Sequence, residues 1–207
     1  MTMNARDHAL ICGTLLGLLA TPAVAETCWT GRQGQYFNSI QYCVSSVLAP
    51  QAGNTYGPDH LADWDTDARA AWCEGAKGHG IGESVTIRIK GGPDFRRLLV
   101  GNGYNKSPQT YASNGRVKTV EITADTGMSA VVDLADRSDL TPVDLPAPAH
   151  DWIRVKILET YPGEKFADTC LSFLMPDLEH EEELMQKDQG LRPQQPEGTS
   201  GAAGPPR

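Results

Sequence analysis

The sequence predicts an all-β protein in which short antiparallel strands form a β-sandwich. Residues 83–90 show the clearest strand pattern, because apolar Val85, Ile87 and Ile89 alternate with polar neighbours. Similar segments recur at a spacing of roughly ten residues, separated by turns rich in Gly, Pro and Asn, as is typical of sandwiches. Between residues 26 and 175, no segment keeps a helical period over three turns.

The first 25 residues predict a secretory signal peptide. Arg6 precedes an apolar run from Ala9 to Ala20, and the small residues Ala23 and Ala25 suit cleavage after Ala25. This run is shorter than the roughly 20 residues that a bilayer-spanning helix needs. We therefore expect a secreted or periplasmic protein with no transmembrane segment in the mature chain.

The mature chain divides into a lead-in at 26–41, a sandwich at 42–176 and a tail at 177–207. The pattern places strands at 42–48, 83–90, 95–101, 117–124, 128–134, 151–159 and 168–175. The start of the tail, 177–189, favours an exposed acidic helix. The rest of the tail is rich in Pro, Gly and Gln and is predicted to be disordered, because it cannot bury enough apolar surface to fold.

The net charge indicates which class of partner is excluded, and the cysteine content indicates how the exported chain is cross-linked. The net charge is −8, and the chain from Asp177 onward holds seven acidic and three basic residues, which argues against a nucleic-acid partner. Cys12 is removed with the signal peptide. Four cysteines remain in the mature chain: Cys28, Cys43, Cys73 and Cys170. Four cysteines in an exported chain predict two disulfides, with three connectivities open.

No catalytic motif accompanies the strands. The segment Gly78-His79-Gly80-Ile81-Gly82 invites comparison with a dinucleotide-binding loop. Its third glycine comes one residue early, and a strand follows where a phosphate site needs a helix, so a structural loop is favoured. No nucleophile elbow is present, and the histidines are scattered along the chain. We predict that the protein is not an enzyme, with a site made of scattered carboxylates as an open alternative.

The acidic segment at 59–67 has two interpretations. Asp59, Asp63, Asp65 and Asp67 supply the hard oxygen ligands that calcium requires, and Asp63 and Asp65 are the candidate ligands of a structural calcium. The spacing lacks the glycine and the glutamate of an EF-hand, and a solvated turn explains the same residues. No other cofactor is expected.

The loop at 101–116 has the composition of a sugar-binding surface. It contains amides, two tyrosines, Lys106 and Arg116. Aromatic faces can cover the C–H side of a sugar, and amides or guanidinium groups bind hydroxyls. The Asn-Gly pairs at 102–103 and 114–115 equally suit simple turns, with the tyrosines packed against the sandwich.

Several motifs in order resemble the opening of a discoidin domain, the coagulation-factor C-type domain. They are Ser45-Ser46, Tyr56-Gly57-Pro58, Leu61-Ala62-Asp63 and Ala71-Trp72-Cys73-Glu74-Gly75. Further segments are similar to the bacterial subfamily typified by the translocation, glycan-binding domain of streptococcal NAD glycohydrolase, namely 77–83, 102–106, 114–118 and 161–172. The resemblance covers roughly 42–175. It implies a galactose-binding-like jelly roll that acts as a non-catalytic binding module.

The resemblance also implies disulfide partners and bears on calcium. In a discoidin-like jelly roll the first and last strands lie side by side, which implies the pairs Cys43–Cys170 and Cys28–Cys73. Relatives often have Ser-Glu in the last strand, where the carboxylate helps to hold calcium. This chain has Ser172-Phe173, and Ala70 stands where a threonine is usual. Both departures count against calcium.

Discoidin relatives bind through loops at one end of the sandwich, which makes six residues candidate ligand contacts: Trp64, Asn102, Tyr104, Lys106, Asn114 and Arg116. Trp64 would supply a stacking face, Lys106 and Arg116 charged donors, and the asparagines amide contacts. We interpret the chain as an exported, non-catalytic module for a glycan or a cell-surface ligand. A structural or protein-docking domain without a sugar ligand is the alternative, and it predicts that Trp64 and Tyr104 are buried.

Overall fold

The computed structural model describes residues 25–62 and 70–190. Several sequence-based predictions therefore fall outside the described residues. These are the signal peptide up to residue 24, the proposed calcium ligands Asp63 and Asp65, the proposed stacking residue Trp64, and the tail beyond residue 190.

Strands make up most of the described chain. They are β1 (Thr27–Thr30), β2 (Ser39–Val44), β3 (Trp72–Cys73), β4 (Ser84–Lys90), β5 (Phe95–Asn102), β6 (Gly115–Ala124), β7 (Ser129–Asp133), β8 (Leu140–Ala149), β9 (Trp152–Tyr161) and β10 (Thr169–Pro176). The helical elements are a 3₁₀ turn at Pro58–Leu61, a short helix at Pro108–Ser113 and a C-terminal helix at Leu178–Asp188. Within the described ranges, no helix has the length and apolar character needed to cross a membrane.

The strands form two layers. One sheet runs β1-β2-β4-β9-β6-β7, and the other contains β3, β10, β5 and β8. Hydrogen bonds join the layers where the starts of β6 and β10 pair in parallel, with Gly115 opposite Thr169. Val85 and Ile153 from the first sheet and Leu98 and Leu174 from the second are almost fully buried in the core. The predicted β-sandwich is confirmed.

Six of the seven predicted strands are found near their predicted positions, and the first, 42–48, is found earlier, at Ser39–Val44. The sequence pattern missed the short strands β1 and β3 and the long strand β8, which contains Pro142, Pro146 and Pro148. Proline removes a backbone donor and is confined to edge strands. Because β8 pairs only with β5 among the described strands, its prolines protect the free edge from pairing with other chains.

The helix predicted at 177–189 is present, and it is docked onto the sandwich. Asp177 caps its first turn by accepting a hydrogen bond from the His180 N–H at 3.2 Å. Leu178 and Glu181 are buried, although the prediction was of an exposed helix. The Glu181 carboxylate accepts a hydrogen bond from the Arg96 N–H on β5 at 2.7 Å. This bond connects the helix to the second sheet.

The disulfide pairing implied by the family resemblance is wrong. The structure pairs Cys28 with Cys43 and Cys73 with Cys170. β1 runs antiparallel to β2 so that Cys28 faces Cys43, and β3 runs antiparallel to β10 so that Cys73 faces Cys170. The predicted pairs Cys43–Cys170 and Cys28–Cys73 fail because β4, β9 and β6 separate β2 from β10.

Removing the two disulfides should cost different amounts of stability. Cys73–Cys170 spans a sequence separation of 97, whereas Cys28–Cys43 spans 15. The chain-entropy model gives losses of about 5 and about 3 kcal/mol, because a longer closed loop restricts the unfolded chain more. Urea unfolding of C73A/C170A and C28A/C43A measures the difference. Equal losses, or a non-reduced peptide map that links Cys43 to Cys170, would contradict the assignment.

A second stability prediction concerns the Tyr42 hydroxyl, which is buried and has no hydrogen-bond partner among the described residues. Y42F should leave the free energy of unfolding unchanged or raise it by about 1 kcal/mol, because an unpaired buried polar group is destabilising. Burial raises the pKa of Tyr42, so ionisation affects stability only above about pH 10, and unfolding is measured at neutral pH.

Y161F is the matched control for Y42F. The Tyr161 hydroxyl donates a hydrogen bond to the Leu134 carbonyl at 3.1 Å, so its removal should cost about 1 kcal/mol. If Y42F and Y161F are equally destabilising, the Tyr42 hydroxyl has a partner and the prediction fails.

Candidate functional site

The candidate site is a pocket at the end of the sandwich where β5 leads into the loop before the short helix. Its volume is about 300 Å³, and it is lined by Gly53, Asn54, Thr55, His60, Ala70, Tyr104 and Lys106. These residues come from the turn-rich stretch after β2, the 3₁₀ turn Pro58–Leu61, the segment just before β3 and the loop after β5. The volume lies at the small end of the range for ligand pockets.

A small buried cluster supports the pocket. It is separate from the main core and consists of Tyr56, Ala71, Cys73, Tyr104 and Cys170. The rings of Tyr56 and Tyr104 meet edge to face, with centroids 6.1 Å apart. The Cys73–Cys170 disulfide belongs to this cluster, so the covalent link between β3 and β10 also anchors the floor of the pocket.

A tight turn orients the amide of Asn54. Ala52 and Gly53 both have positive φ, 48° and 78°, which places Asn54 back beside Gln51. The Asn54 Nδ2 donates to the Gln51 carbonyl at 3.2 Å. The amide oxygen therefore faces outward, where it accepts a hydrogen bond from the Lys106 Nζ at 2.7 Å.

A second polar pair lines the pocket. The Nε2 of His60 lies 3.0 Å from the Thr55 hydroxyl. The Nδ1 of the same ring lies 3.8 Å from the Asp59 carboxylate, which does not line the pocket. Together with Lys106 and Asn54, these side chains place an ammonium, an amide, a hydroxyl and an imidazole around one cavity.

The structure brings two of the six predicted contact residues to this pocket, Tyr104 and Lys106. Tyr104 is only 6 % exposed and packs edge to face against Tyr56, so it does not offer an open ring face to a ligand. Trp64 lies outside the described residues. The other three predicted residues, Asn102, Asn114 and Arg116, are not among the described residues that line the pocket, and they make internal contacts.

Asn102 connects two strands that are not directly paired. Its Oδ1 accepts from the Val117 N–H at 2.9 Å, and its Nδ2 donates to the carbonyls of Val117 at 2.8 Å and Ala135 at 3.3 Å. The side chain is 3 % exposed. Asn114, which follows the short helix, is also buried, and its Nδ2 donates to the Thr110 carbonyl inside that helix. Both amides are therefore used to hold the backbone.

Arg116 uses its guanidinium to join three segments. It forms a two-pronged contact with Asp136, with Nε–Oδ1 at 3.0 Å and Nη2–Oδ2 at 2.8 Å. Its Nη1 donates to the carbonyls of Asn114 and Pro162 at 3.0 and 2.9 Å, and the group lies over the Tyr111 ring. The hydrogen bonds from Arg116 hold the pKa of the Asp136 carboxyl below its usual value. Because Asp136 neutralises the guanidinium of Arg116, little net charge is available there to attract a ligand.

The glycine-rich segment at 75–82 is held by the buried carboxylate of Glu74. Its Oε1 accepts from the Thr169 N–H at 3.0 Å and its Oε2 from the Ala76 N–H at 2.7 Å. Burial raises the pKa of Glu74, although these two hydrogen bonds oppose the shift. Gly80 has a φ of +70°, and a Cβ there would lie 2.6 Å from the Glu74 side chain. The segment is a structural loop, as the sequence indicated.

Calcium remains a prediction from the sequence. Asp63 and Asp65, the proposed ligands, lie outside the described residues. Elsewhere in the described chain, the one group of three potential ligands is Glu26 with Cys28 and Cys43, whose sulfurs form a disulfide. These atoms do not make a metal site.

The sequence analysis missed Asn54, Thr55 and His60. A signal was present, because polar side chains follow one another in the turn-rich stretch at 50–60. Nothing in the sequence showed that this stretch meets the loop after β5. The contact that joins them, between Asn54 and Lys106, spans 52 residues of chain.

Comparisons with known proteins identify a family and a group of similar structures. Residues 34–176 match the family model described as "NAD glycohydrolase translocation F5/8 type C domain". A search of curated proteins finds no match.

Solved carbohydrate-binding modules resemble the fold. CpGH89CBM32-5 from Clostridium perfringens, in complex with GalNAc-β-1,3-galactose, is 15% identical, with 66% of this chain and 93% of that chain covered and a TM-score of 0.47. The family 32 module from Streptococcus pneumoniae EndoD is 13% identical, with 65% and 94% covered and a TM-score of 0.48. The family 32 module of C. perfringens NanJ, in complex with galactose, is 11% identical, with 65% and 90% covered and a TM-score of 0.45.

The hydrogen bonds of the Asn102 amide to the backbone of β6 should stabilise the fold. N102A should therefore lower the free energy of unfolding by about 2–3 kcal/mol, because it leaves buried backbone groups of β6 unpaired. Asn105 offers a matched control three residues away, since its amide atoms are buried without a partner among the described residues. N105A should cost much less stability than N102A, because it removes no hydrogen bond to the described residues and relieves an unpaired buried amide. Urea unfolding checks both, and equal losses would contradict the scaffold role.

Proposed function

The chain belongs to the NAD glycohydrolase translocation F5/8 type C domain family, and on this basis we propose that it is an exported module that binds glycans through the pocket defined above. The family membership confirms the resemblance seen in the sequence. Because the family consists of translocation domains, the chain is a non-catalytic binding or translocation module, in agreement with the prediction that it is not an enzyme.

The composition of the pocket is the observation that carries the glycan proposal. Asn54, Thr55, His60 and Lys106 direct an amide oxygen, a hydroxyl, an imidazole and an ammonium toward one cavity of about 300 Å³. Sugar hydroxyls donate and accept hydrogen bonds, so a mixture of donors and acceptors complements them. The positive-φ turn at 52–53 fixes the Asn54 amide before any ligand arrives, which reduces the entropy lost on binding.

The compartment is part of the proposal. Two disulfides stabilise the described fold, and such bonds persist in secreted or periplasmic proteins. The signal peptide and its cleavage after Ala25 stay predictions from the sequence.

The described lining of the pocket does not support a glycosidase. That chemistry needs two carboxyl groups about 5–10 Å apart. None of the described residues that line the pocket is Asp or Glu.

A protein partner is the second candidate, and the burial of Tyr104 favours it. The protein-docking hypothesis predicts that Tyr104 is buried, and the side chain is 6 % exposed. The stacking face that a sugar needs would then have to come from Trp64, whose role stays a prediction. Pull-downs on the exported protein, with and without the best-binding glycan as competitor, separate the two functions. A protein captured equally well in both conditions favours docking.

A glycan array followed by calorimetry tests the glycan proposal. We expect H60A and K106M to weaken binding at least about tenfold, equivalent to about 1.4 kcal/mol, because each removes a polar group from the pocket. K165M is the matched control, since Lys165 lies over the Phe166 ring and does not line the pocket. An array with no signal in the presence or absence of calcium would overturn the proposal.

A further inference from the structure

We infer that the ligand of this pocket carries a negative charge, so that the module recognises an acidic sugar through Lys106. The inference rests on the proposed function, because it specifies the ligand of the same site. It follows from the distribution of charge around the pocket, the state of the Lys106 ammonium and the fixed geometry beside it.

The described lining of the pocket differs in charge from the chain as a whole. The protein has 26 acidic and 18 basic residues, with a net charge of −8. The described lining nevertheless contains no carboxylate, and it contains Lys106 and His60. An anionic ligand is repelled by most surfaces of such a protein. The described lining places an ammonium among neutral polar groups, with the Asp59 carboxylate outside it at 3.8 Å from the His60 ring, and provides the complementary potential.

The charge of Lys106 is not neutralised within the described chain. Its Nζ donates to the neutral amide oxygen of Asn54, and no described carboxylate lies within ion-pair distance of it. Lys118, by contrast, lies 2.6 Å from a carboxylate oxygen of Glu159. An ammonium has three donors, so Lys106 keeps donors for a ligand while Asn54 occupies one.

The polar residues beside Lys106 are held in position by contacts within the protein. The Asn54 amide is held by its own turn, and its oxygen draws the Lys106 ammonium to the pocket. Thr55 and His60 add a hydroxyl and a ring nitrogen to the same lining. A hydrogen bond from an ammonium is strengthened by one charge when the acceptor is a neutral hydroxyl, and an anionic acceptor adds the Coulomb attraction between opposite charges. A sugar with an acidic group therefore gains more from this pocket than its neutral counterpart.

The test compares sugars that differ only in charge. An array carries lactose beside sialyllactose, oligogalacturonides beside their methyl esters, and sulfated beside unsulfated oligosaccharides. Calorimetry then measures the best acidic ligand and its neutral partner at roughly 0.05 M and 0.5 M NaCl. The protein is the mature chain, with K106M, K106R and the control K165M, and thermal unfolding shows that each variant is folded.

We expect an acidic sugar to bind at least about tenfold more tightly than its neutral partner at low salt, and salt to reduce the difference. K106M should remove the preference, K106R should keep most of it, and K165M should not change it. Which acidic class binds identifies the source of the charge. Equal binding of acidic and neutral partners would overturn the inference and leave the proposed function intact. No binding to any glycan would overturn both.

Discussion

The pairing of β3 with β10 is the constraint on which the pocket and the joining of the sheets depend. β3 is only two residues long, yet it places Cys73 opposite Cys170 and Glu74 beside Thr169. Thr169 in turn faces Gly115 at the start of β6, where the two sheets meet. The disulfide, the buried carboxylate and the parallel bridge therefore act on one short stretch of β10. Tyr104 packs against this stretch and supports the pocket.

The fold was largely predictable because its strands are half-buried. Alternating apolar residues such as Val85, Ile87 and Ile89 indicate which face of a strand packs against the core, and the structure buries all three. β8 was not predicted because its prolines argue against a strand unless that strand lies at the edge of a sheet. The sequence does not show which strand lies at an edge. The disulfide pairs were not predicted correctly because they too depend on where each strand lies in the sheets. Cysteine pairing follows from the order of strands in the sheets, which no local pattern encodes.

The site was predictable only in part, because residue type does not reveal which atoms are already in use. Arg116 and Lys106 both looked suited to a ligand. The structure commits the guanidinium of Arg116 to Asp136 and two carbonyls, whereas Lys106 meets one neutral amide. Asn102 similarly replaces missing strand hydrogen bonds. Asn54 and His60 belong to a stretch that only the tertiary fold brings to the loop after β5.

The two disulfides join consecutive cysteines, first Cys28 with Cys43 and then Cys73 with Cys170. Among the cysteines of the described residues, Cys28 and Cys73 are each bonded to the next cysteine along the chain, so in an oxidising compartment the native partner of each would be the next one to emerge from the N-terminal side. Rapid, untemplated oxidation in order of appearance therefore yields the correct first bond. The second bond forms only after Cys170 in β10 has emerged, and by then almost the whole sandwich is present.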